Sequence, residues 1–413
     1  MNSWADVAVP RFNESYVFPA LTLKSTATGS LVSLPQNRDI RMYVCGITPY
    51  DATHLGHAAT YIAFDLVNRY IRSAGQMMHF VENVTDIDDP LLERAIRDGQ
   101  SWESLATSQI ELFKGDMTDL HILPPENFIG AVESIPLVIQ AVKIMQNRSA
   151  IYELSKDLYF RVKSDSRFGS RAHLSSDEMI EISRQRGGDP DRSGKEDPLD
   201  ALVWMQQRHG EPGWPSPFGI GRPGWHIECC AIALAYLDKD PSDQFCIDIQ
   251  GGGSDLQFPH HDISAAQARV LGEKEFARIY MHAGMIGFDG EKMSKSKGNL
   301  VLVSTLVSSG VDPMVIRCAL LQGHYAQDRM WNQQLLTDAQ LFIERMRSAL
   351  SREEVAPTTD LIENMIHLLS QDLNTPSVFV ALEQWCHQTE SGSQGGSAGE
   401  LSRAIDALLG IAF

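Results

Sequence analysis

The chain lacks the features of a membrane-spanning or exported protein. No run of 18 apolar residues occurs, whereas a bilayer-spanning helix needs about 20. The N-terminal segment MNSWADVAVPRFNESYVF has neither the basic nor the apolar region of a signal peptide. Cysteine is scarce, with six residues and no CxxC pair. We therefore expect a cytoplasmic protein whose cysteines are thiols or metal ligands rather than disulfides.

Basic residues are also in short supply. The chain has 35 lysines and arginines against 53 aspartates and glutamates, so its formal net charge is −18. Proteins that bind nucleic-acid phosphates need basic surface. The charge balance therefore argues against a large polyanionic partner, although a local basic patch is compatible with it.

Length and hydrophobic pattern indicate several α/β domains. A chain of 413 residues with 43% apolar residues has room for two or three domains. Apolar runs at 40–45 and 77–84 predict parallel strands on either side of a helix at 60–75. We expect Gly75 to end that helix, because glycine is favoured just beyond a helix C-terminus.

The middle of the chain is predicted to interrupt a nucleotide-binding sheet. Residues 90–165 have a mostly helical pattern that turns into a strand at 158–162, which indicates an insertion between two halves of the sheet. The polar loop 184–198 belongs to a class that is often functional or mobile. The second half of the sheet is predicted at 204–206, 244–250 and 279–286.

The last hundred residues are predicted to be helical. The helical pattern begins at about 312, and the composition of 389–400 (TESGSQGGSAGE) is that of a flexible linker before a short last helix. Cys246, Cys318 and Cys386 lie in apolar or helical stretches, so we expect them to be core residues.

The motif HLGH at 54–57 lies where a loop is predicted to enter a helix. His54 and His57 are three residues apart and therefore share one face of the helix N-terminus. Two imidazoles beside the positive end of a helix suit a triphosphate, and Gly56 lets a nucleotide approach the backbone. The alternative is two surface histidines at a helix start.

The motif KMSKS at 292–296 forms the second candidate nucleotide contact. Lys292, Lys295 and Lys297 crowd a Ser- and Gly-rich loop in an otherwise acidic chain. Such a loop can surround phosphates and neutralise charge as pyrophosphate departs. The alternative is a solvated basic loop. With HLGH, the motif indicates an enzyme that binds ATP from two sides and forms an acyl-adenylate.

The segment GGGSD at 251–255 follows a predicted strand. Three glycines allow a ligand to approach the backbone, and Asp255 can accept hydrogen bonds from a ribose or an amine. The alternative is a glycine-rich turn without a chemical role.

Scattered cysteine and histidine residues form a candidate metal site. Cys45, either Cys229 or Cys230, and either His260 or His261 each fall at the predicted rim of the sheet. Ligands that are spread across a domain are typical of catalytic zinc, which keeps one coordination position open for substrate. Spacing alone leaves both alternatives open.

Six segments together resemble the cysteinyl-tRNA synthetase family of class I synthetases. The resemblance covers about residues 38–335, and its motifs are long and specific. The segments are MYVCGIT (42–48), HLGH, NVTDIDD (83–89), GRPGWHIEC (221–229), GGGSDLQFPHH (251–261) and KMSKSKGN (292–299).

The resemblance implies a class I synthetase-type α/β fold. This is a Rossmann nucleotide-binding domain with an inserted α/β connective domain and a C-terminal helical bundle. The expected parts are an N-terminal extension (1–37), two halves of the catalytic domain (38–90 and 200–300), the inserted domain (91–199), a helical domain (301–388), and a linker with a short helix (389–413).

The resemblance also implies roles for single residues. His54, His57, Thr48, Lys292 and Lys295 would position the reacting groups and stabilise charge. The general base is not identified by the resemblance, and His57 and Asp255 both remain candidates. The residues expected to line the cysteine and adenylate are Cys45, Gly46, Ile47, Thr48, Thr60, Asn83, Val84, Thr85, Trp225, Gly253, Ser254, Asp255 and Ile286.

In this family two cysteines, a histidine and a glutamate hold a catalytic zinc, and the zinc binds the substrate thiol. By motif position, Cys45, Cys229 and His260 match three of these ligands, and Ser264 stands where the glutamate is found. One zinc per chain is expected. Zinc has a physical rationale, because an apolar pocket separates serine from cysteine poorly, whereas a thiolate is a far better zinc ligand than a hydroxyl.

Two departures point to close relatives of that family, the cysteine ligases of mycothiol biosynthesis. Ser264 stands in place of the expected glutamate, and the C-terminal part is short and acidic, without room for an anticodon-binding domain. CGITPYDATHLGHAATY (45–61) and HAGMIGFDGEKMSKSKGNL (282–300) resemble those enzymes in detail, and QRGGDP (185–190) differs at Gln185, where glutamate is usual. ATP, used with Mg²⁺, and L-cysteine would give a cysteinyl-adenylate, which the amine of glucosaminyl-inositol attacks to form an amide and AMP. The expected chain is monomeric, with small-molecule substrates and neither tRNA nor membrane as partner.

Two other functions compete with this hypothesis. A truncated cysteinyl-tRNA synthetase would share the first half-reaction. A non-catalytic paralogue would act as a binding or regulatory module, although intact HLGH and KMSKS motifs argue against it.

Overall fold

The structure of the protein is a computed structural model that describes residues 1–12, 15–50, 53–288, 290–293 and 298–413, without the side chain of Lys292. The strands in these residues are β1 (Thr22–Ser25), β2 (Ser30–Ser33), β3 (Ile40–Val44), β4 (Met78–Val84), β5 (Asn127–Gly130), β6 (Ile151–Leu154), β7 (Asp157–Phe160), β8 (Ala201–Gln206), β9 (Gly221–Pro223), β10 (Phe245–Gly253), β11 (Glu275–Ala283), β12 (Ile286–Phe288), β13 (Glu291–Lys292) and β14 (Arg329–Trp331).

The helices over the same residues are mostly of α type. They are α1 (Leu55–Ser73), α2 (Asp89–Asp98), α3 (Trp102–Asp119), α4 (Ala131–Asn147), α5 (Ser176–Gln185), α6 (Trp225–Leu237), α7 (Asp262–Gly272), α8 (Val303–Ser308), α9 (Pro313–Leu321), α10 (Gln333–Leu350), α11 (Thr359–Ser370), α12 (Thr375–Glu390) and α13 (Ala398–Leu409). Among the described helices, none is long and apolar enough to cross a bilayer.

A five-stranded parallel sheet forms the centre of the molecule. Its strand order is β11–β10–β3–β4–β5, and every pairing in it is parallel. Successive residues of β3 enter different cores: Met42 and Val44 pack in the core that contains α1, and Tyr43 packs in the core that contains α6. Helices thus cover both faces, which explains why every residue of β3 is buried. The predicted α/β fold and its strands at 40–45 and 77–84 are confirmed.

Helix α1 connects the first two strands of this sheet. It begins at Leu55 and ends with Ala74 as C-cap. Gly75 follows with φ +76°, a left-handed conformation in which glycine has no Cβ penalty. The predicted end of the helix is therefore confirmed.

The strand at 204–206 belongs to a different sheet from the one predicted. Strand β8 pairs with β7 and β9 in a four-stranded antiparallel sheet of order β6–β7–β8–β9. The prediction that this strand starts the second half of the nucleotide-binding sheet was wrong; that half starts with β10. An apolar run does not specify its partner, which is set by distant residues such as Leu158 opposite Trp204. The domain boundaries remain a prediction.

The C-terminal helices follow the expected order with a shorter connection. Helix α12 extends to Glu390 and α13 starts at Ala398, so the connection is shorter than the predicted linker 389–400. It is also fixed in place, because Gly396 N–H donates to the Val355 carbonyl (3.0 Å) and Ser397 N–H donates to Thr358 Oγ1 (3.1 Å). Cys246, Cys318 and Cys386 are buried in the cores, as predicted.

A buried ion network joins α1 to the C-terminal helices. The Asp65 carboxylate accepts from Arg69 Nε (2.7 Å) and from Arg317, and all three side chains are fully buried. The Leu123 amide also donates to Asp65 (2.9 Å), and Arg317 Nε donates to the Leu409 carbonyl (2.6 Å). Although burial opposes its ionisation, the two guanidinium groups hold the pKa of Asp65 below its ordinary value.

A second buried carboxyl group has no such partner. Glu82 lies on β4 with none of its surface exposed, and neither carboxyl oxygen has a hydrogen-bond partner within the described part of the chain. Burial raises the pKa of Glu82 well above its ordinary value. The folded protein therefore binds a proton at this position more tightly than the unfolded chain does.

Replacing Arg317 with alanine is expected to destabilise the protein by about 3–5 kcal/mol, because it leaves a buried carboxylate without one of its two cations. The free energy of unfolding, measured by urea denaturation, tests this. The control is Arg347→Ala, which removes the surface ion pair with Asp312 and should cost no more than about 1 kcal/mol. Equal losses in the two variants would contradict the assigned role of the network.

Replacing Glu82 with glutamine is expected to stabilise the protein increasingly as pH rises. Below about pH 4.3, the pKa of Glu82 in the unfolded chain, the carboxyl group is protonated in both states and its burial costs no ionisation energy. As pH rises from there towards the raised pKa of the folded state, the wild type loses stability, because folding must keep Glu82 protonated. Denaturation at pH 5 and pH 8 measures the difference. Glu103→Gln, at an exposed position of α3, is the control, with a change within about 0.5 kcal/mol at both pH values. A Glu82→Gln gain that is independent of pH would refute the argument.

Candidate active site

The predicted site residues gather at the carboxyl ends of β3, β4 and β10. These parallel strands end at the same edge of the sheet, where ligands bind in open α/β folds. The Cys45 amide donates to the Gly251 carbonyl (3.0 Å), which ties the end of β3 to the glycine segment of β10. Helix α1 starts beside them with the HLGH motif.

Gly46 is required by a close backbone crossing. A Cβ at this position would lie 1.6 Å from the carbonyl oxygen of Asn83. The Asn83 side chain secures the crossing, because its Oδ1 accepts from the Tyr43 hydroxyl (2.9 Å) and from the Gly46 amide (3.0 Å). Its Nδ2 donates to Thr85 Oγ1 (3.3 Å). Asn83 therefore orients the segment that follows Cys45.

Three side chains form a possible metal site. The ligand atoms of Cys45, Cys229 and His260 all lie within 4.8 Å of one another, and all three residues are buried. They come from the end of β3, the first turns of α6 and the turn before α7. Spacing left open Cys229 or Cys230 and His260 or His261. The structure places Cys229 and His260 beside Cys45.

The two thiols of this cluster ionise unequally. Burial opposes ionisation of Cys229, but its interactions with Cys45 and with His260 hold its pKa well below the ordinary value. Burial and the contact with Cys229 raise the pKa of Cys45 well above it. Of the two thiols, Cys229 is therefore the more readily ionised.

The histidine of the cluster is suited to bind a cation. His260 Nδ1 contacts His226 Nδ1 (2.8 Å), and its ring stacks on Trp225 at 4.1 Å between centroids. Its Nε2 is buried and has no hydrogen-bond partner among the described residues. A held ring with an unused nitrogen beside two thiols fits the donor set of zinc.

The neighbouring candidates have other partners. His261 Nε2 lies 3.3 Å from Cys45 Sγ, and its Nδ1 lies 2.7 Å from His282 Nε2. Cys230 is buried in the same hydrophobic core but lies outside the ligand cluster. Ser264, at the position of the family's glutamate, donates to the His226 carbonyl (3.3 Å).

His54 caps the helix that carries the HLGH motif. Its Nδ1 accepts from the amides of Gly56 (3.1 Å) and His57 (3.3 Å), so in the neutral ring the proton is on Nε2. The ring stacks on His57 at 3.8 Å. Burial and the neighbouring His54 lower the pKa of His57 well below its ordinary value.

The glycine segment of β10 lies against the second turn of α1. A Cβ on Gly253 would lie 2.6 Å from Asp255 Oδ1 and 4.0 Å from Thr60 Oγ1. Thr60 Oγ1 donates to the Gly56 carbonyl (3.1 Å). The structure thus brings Thr60, Gly253 and Asp255 together, and Ser254 starts the short turn between them.

The remaining predicted contacts surround this edge. The Thr85 amide donates to the Ile47 carbonyl (2.9 Å), and the Tyr50 amide donates to the Thr48 carbonyl (2.9 Å). Val84 ends β4 and Ile286 starts β12, both buried. The predicted roles of the Lys292 side chain and of Lys295 fall outside the described residues.

Sequence reasoning did not single out Gln250 and His282, which also surround Cys45. Gln250 Nε2 lies 3.5 Å from Cys45 Sγ, and His282 contacts His261 as described above. The strand pairing could have revealed His282, because β11 places it beside Gly252 of the glycine segment.

The chain resembles known proteins over nearly its whole length. The family described as tRNA synthetases class I (C) catalytic domain matches residues 31–341. The L-cysteine:1D-myo-inositol 2-amino-2-deoxy-alpha-D-glucopyranoside ligase of Kribbella flavida is 51% identical over 394 residues, 95% of each chain. The ligase of the same name from Rhodococcus jostii is 50% identical over 418 residues, 100% of this chain and 99% of that one.

Solved structures support the fold. Mycobacterium tuberculosis methionyl-tRNA synthetase in complex with methionyl-adenylate has a TM-score of 0.62 at 16% identity, covering 90% of this chain and 88% of that one. At that identity the likeness shows the fold alone. The family match and the identity to the ligases are far more extensive, so the chain belongs to the class I (C) tRNA synthetase family and, within it, to the L-cysteine:1D-myo-inositol 2-amino-2-deoxy-alpha-D-glucopyranoside ligases.

Proposed function

We propose that this chain ligates L-cysteine to the amino group of glucosaminyl-inositol, with ATP and Mg²⁺ as the energy source and a cysteinyl-adenylate as the intermediate. The observation that carries the proposal is the cluster of Cys45, Cys229 and His260 at the same sheet edge as the HLGH helix. A thiol-binding group beside a nucleotide-binding helix suits an enzyme that activates cysteine. The names of the relatives supply the acceptor.

We propose zinc as the metal that Cys45, Cys229 and His260 hold. Bound there, zinc would hold the substrate thiol as a thiolate and so favour cysteine over serine. The buried His260 Nε2, which has no hydrogen-bond partner among the described residues, and the lowered pKa of the Cys229 thiol support this assignment. Trp225, stacked on His260, would form a wall of the cysteine pocket.

The first step is attack of the cysteine carboxylate on the α-phosphate of ATP, with pyrophosphate as leaving group. His54 Nε2–H, at the positive end of α1, would donate to phosphate oxygens, and His57 would add a second imidazole beside it. Thr48 and the KMSKS lysines Lys292 and Lys295 complete the proposed phosphate contacts. These groups act by position and charge rather than by covalent catalysis.

The second step is attack of the acceptor amine on the adenylate carbonyl, which forms the amide and releases AMP. Gly253, Ser254 and Asp255, with Thr60, would hold the nucleoside beside α1. The amine must lose a proton, and the candidates for the base are His57 and Asp255. Burial favours neutral His57, a state able to accept a proton.

An acidic surface suits a small amine-bearing acceptor better than a polyanion. The net charge of −18 therefore supports glucosaminyl-inositol over tRNA. We also propose that the enzyme is cytoplasmic and acts as a monomer.

An acceptor comparison tests the proposed reaction. With cysteine and ATP supplied, the purified protein is expected to form AMP in the presence of glucosaminyl-inositol and to leave tRNA uncharged. Mass spectrometry of the amide and acid-precipitable radioactive cysteine measure the two products. Charged tRNA with the amino sugar untouched would assign the chain to a shortened synthetase, and absence of cysteine-dependent ATP–pyrophosphate exchange would indicate a non-catalytic paralogue.

Replacing Cys229 with alanine is expected to release zinc and to raise the KM for cysteine at least about tenfold, because one of three protein ligands is lost. Metal analysis after dialysis and cysteine-dependent pyrophosphate exchange measure the two effects. The adjacent buried Cys230, which lies outside the cluster, provides the matched control Cys230→Ala. Zinc retained at one equivalent by Cys229→Ala would refute the ligand assignment.

A further inference from the structure

The inserted part of the chain contacts the turn that carries His260. This turn, residues 254–261, consists of two short irregular helices between β10 and α7. Phe258 has extended backbone angles within it (φ −140°, ψ 138°), so the turn does not make a continuous helical hydrogen-bond ladder. Its carbonyl groups therefore need donors from elsewhere.

Arg186 supplies such donors. Its Nη1 donates to the carbonyl oxygens of both Asp255 and Phe258. Asp255 is a proposed nucleoside contact, and Phe258 lies two residues before the proposed metal ligand His260. The Arg186 guanidinium group thus holds the backbone at Asp255 and at Phe258. This stretch carries the proposed nucleoside contact Asp255 and leads to the proposed metal ligand His260.

The local sequence explains why Arg186 points to this turn. Arg186 is the C-cap of α5, and Gly187 follows with φ +83°. The Gly188 amide then donates back to the Ser183 carbonyl (2.8 Å), and a Cβ on Gly188 would lie 2.2 Å from Ser183 Oγ. The two glycines reverse the chain tightly at the end of α5 and fix the position of the arginine.

A second contact of the inserted part supports the same turn from its other end. Asp262, the first residue of α7, accepts from Arg171 Nη1 (2.8 Å) and from the Gly169 amide (2.9 Å). The ring of Phe168 lies 6.1 Å from that of Phe258. Residues on both sides of His260 are thus held by contacts with the inserted part.

We infer that Arg186 is a positioning residue that sets His260 and Asp255 in their working geometry. It acts through the backbone of residues 254–261, by its hydrogen bonds to the carbonyl groups of Asp255 and Phe258. Groups that orient metal ligands in this way influence metal affinity by about 10- to 100-fold. Gln185, which precedes it, instead bonds to the exposed Glu181 (2.8 Å), so the exchange of glutamate for glutamine at 185 leaves the Arg186 contact unchanged.

The test compares Arg186→Ala with Arg184→Ala. Arg184 is on the same helix and makes surface ion pairs with Asp191 and Glu181, so its loss controls for removal of a charge from this helix. Zinc affinity of the purified protein, measured by competition with a chromogenic chelator, is expected to fall about tenfold or more in Arg186→Ala. Hydrogen exchange of residues 254–262 should rise in the same variant and stay at the wild-type level in Arg184→Ala.

Activity provides a third measurement, which rests on the proposed function. In cysteine-dependent pyrophosphate exchange, Arg186→Ala should raise the KM for cysteine about tenfold and change kcat less, because ground-state binding is lost. Arg186→Lys, with its single ammonium donor, should restore part of the zinc affinity. If Arg186→Ala fails to fold, Arg186→Lys and Arg186→Gln replace it in all measurements.

The outcomes separate the two proposals. Zinc affinity and hydrogen exchange equal to those of Arg184→Ala would overturn the role of Arg186. A wild-type protein without any pyrophosphate exchange would overturn the proposed function, while the zinc and exchange measurements would still decide the role of Arg186.

Discussion

The buried carboxylate of Asp65 is the interaction on which the arrangement of the molecule depends. It joins α1 to Arg317 of α9 and to the segment before β5, and Arg317 in turn binds the end of α13. Because α1 carries His54 and His57 at its start, the candidate nucleotide contacts are fixed by charges on the far part of the helix. A buried ion pair of this kind costs desolvation, and hydrogen bonds from Arg69 and Arg317 to backbone carbonyl groups offset part of that cost.

The sequence was sufficient for the features that are set locally. The C-terminal end of α1 follows from Gly75, and the strands at 40–45 and 77–84 follow from their mainly apolar runs. The sheet to which 204–206 belongs was not predictable in this way, because its partner Leu158 is more than 40 residues away and the choice between two sheets leaves no local trace.

The same division applies to the candidate site. Motifs named Cys45, His54 and Asp255, and spacing left Cys229 and Cys230 as alternatives. The family resemblance selected Cys229, and the structure places Cys229 rather than Cys230 in the cluster. The interactions of His282 and Arg186 arise from strand pairing and from a long-range contact. Groups that orient a site are therefore harder to recognise from sequence than groups that would bind its ligands.

The contact between Arg69 and the Asp406 carbonyl (2.7 Å) spans 337 residues of chain, and it has a consequence for synthesis. Arg69 and Asp65 are buried in the finished protein, but several of their partners on α9 and α13 leave the ribosome long after α1 does. The buried ion network of α1 can therefore close only after α9 and α13 have been synthesised. Completion of the core around the nucleotide-binding helix therefore depends on the last part of the chain to be made.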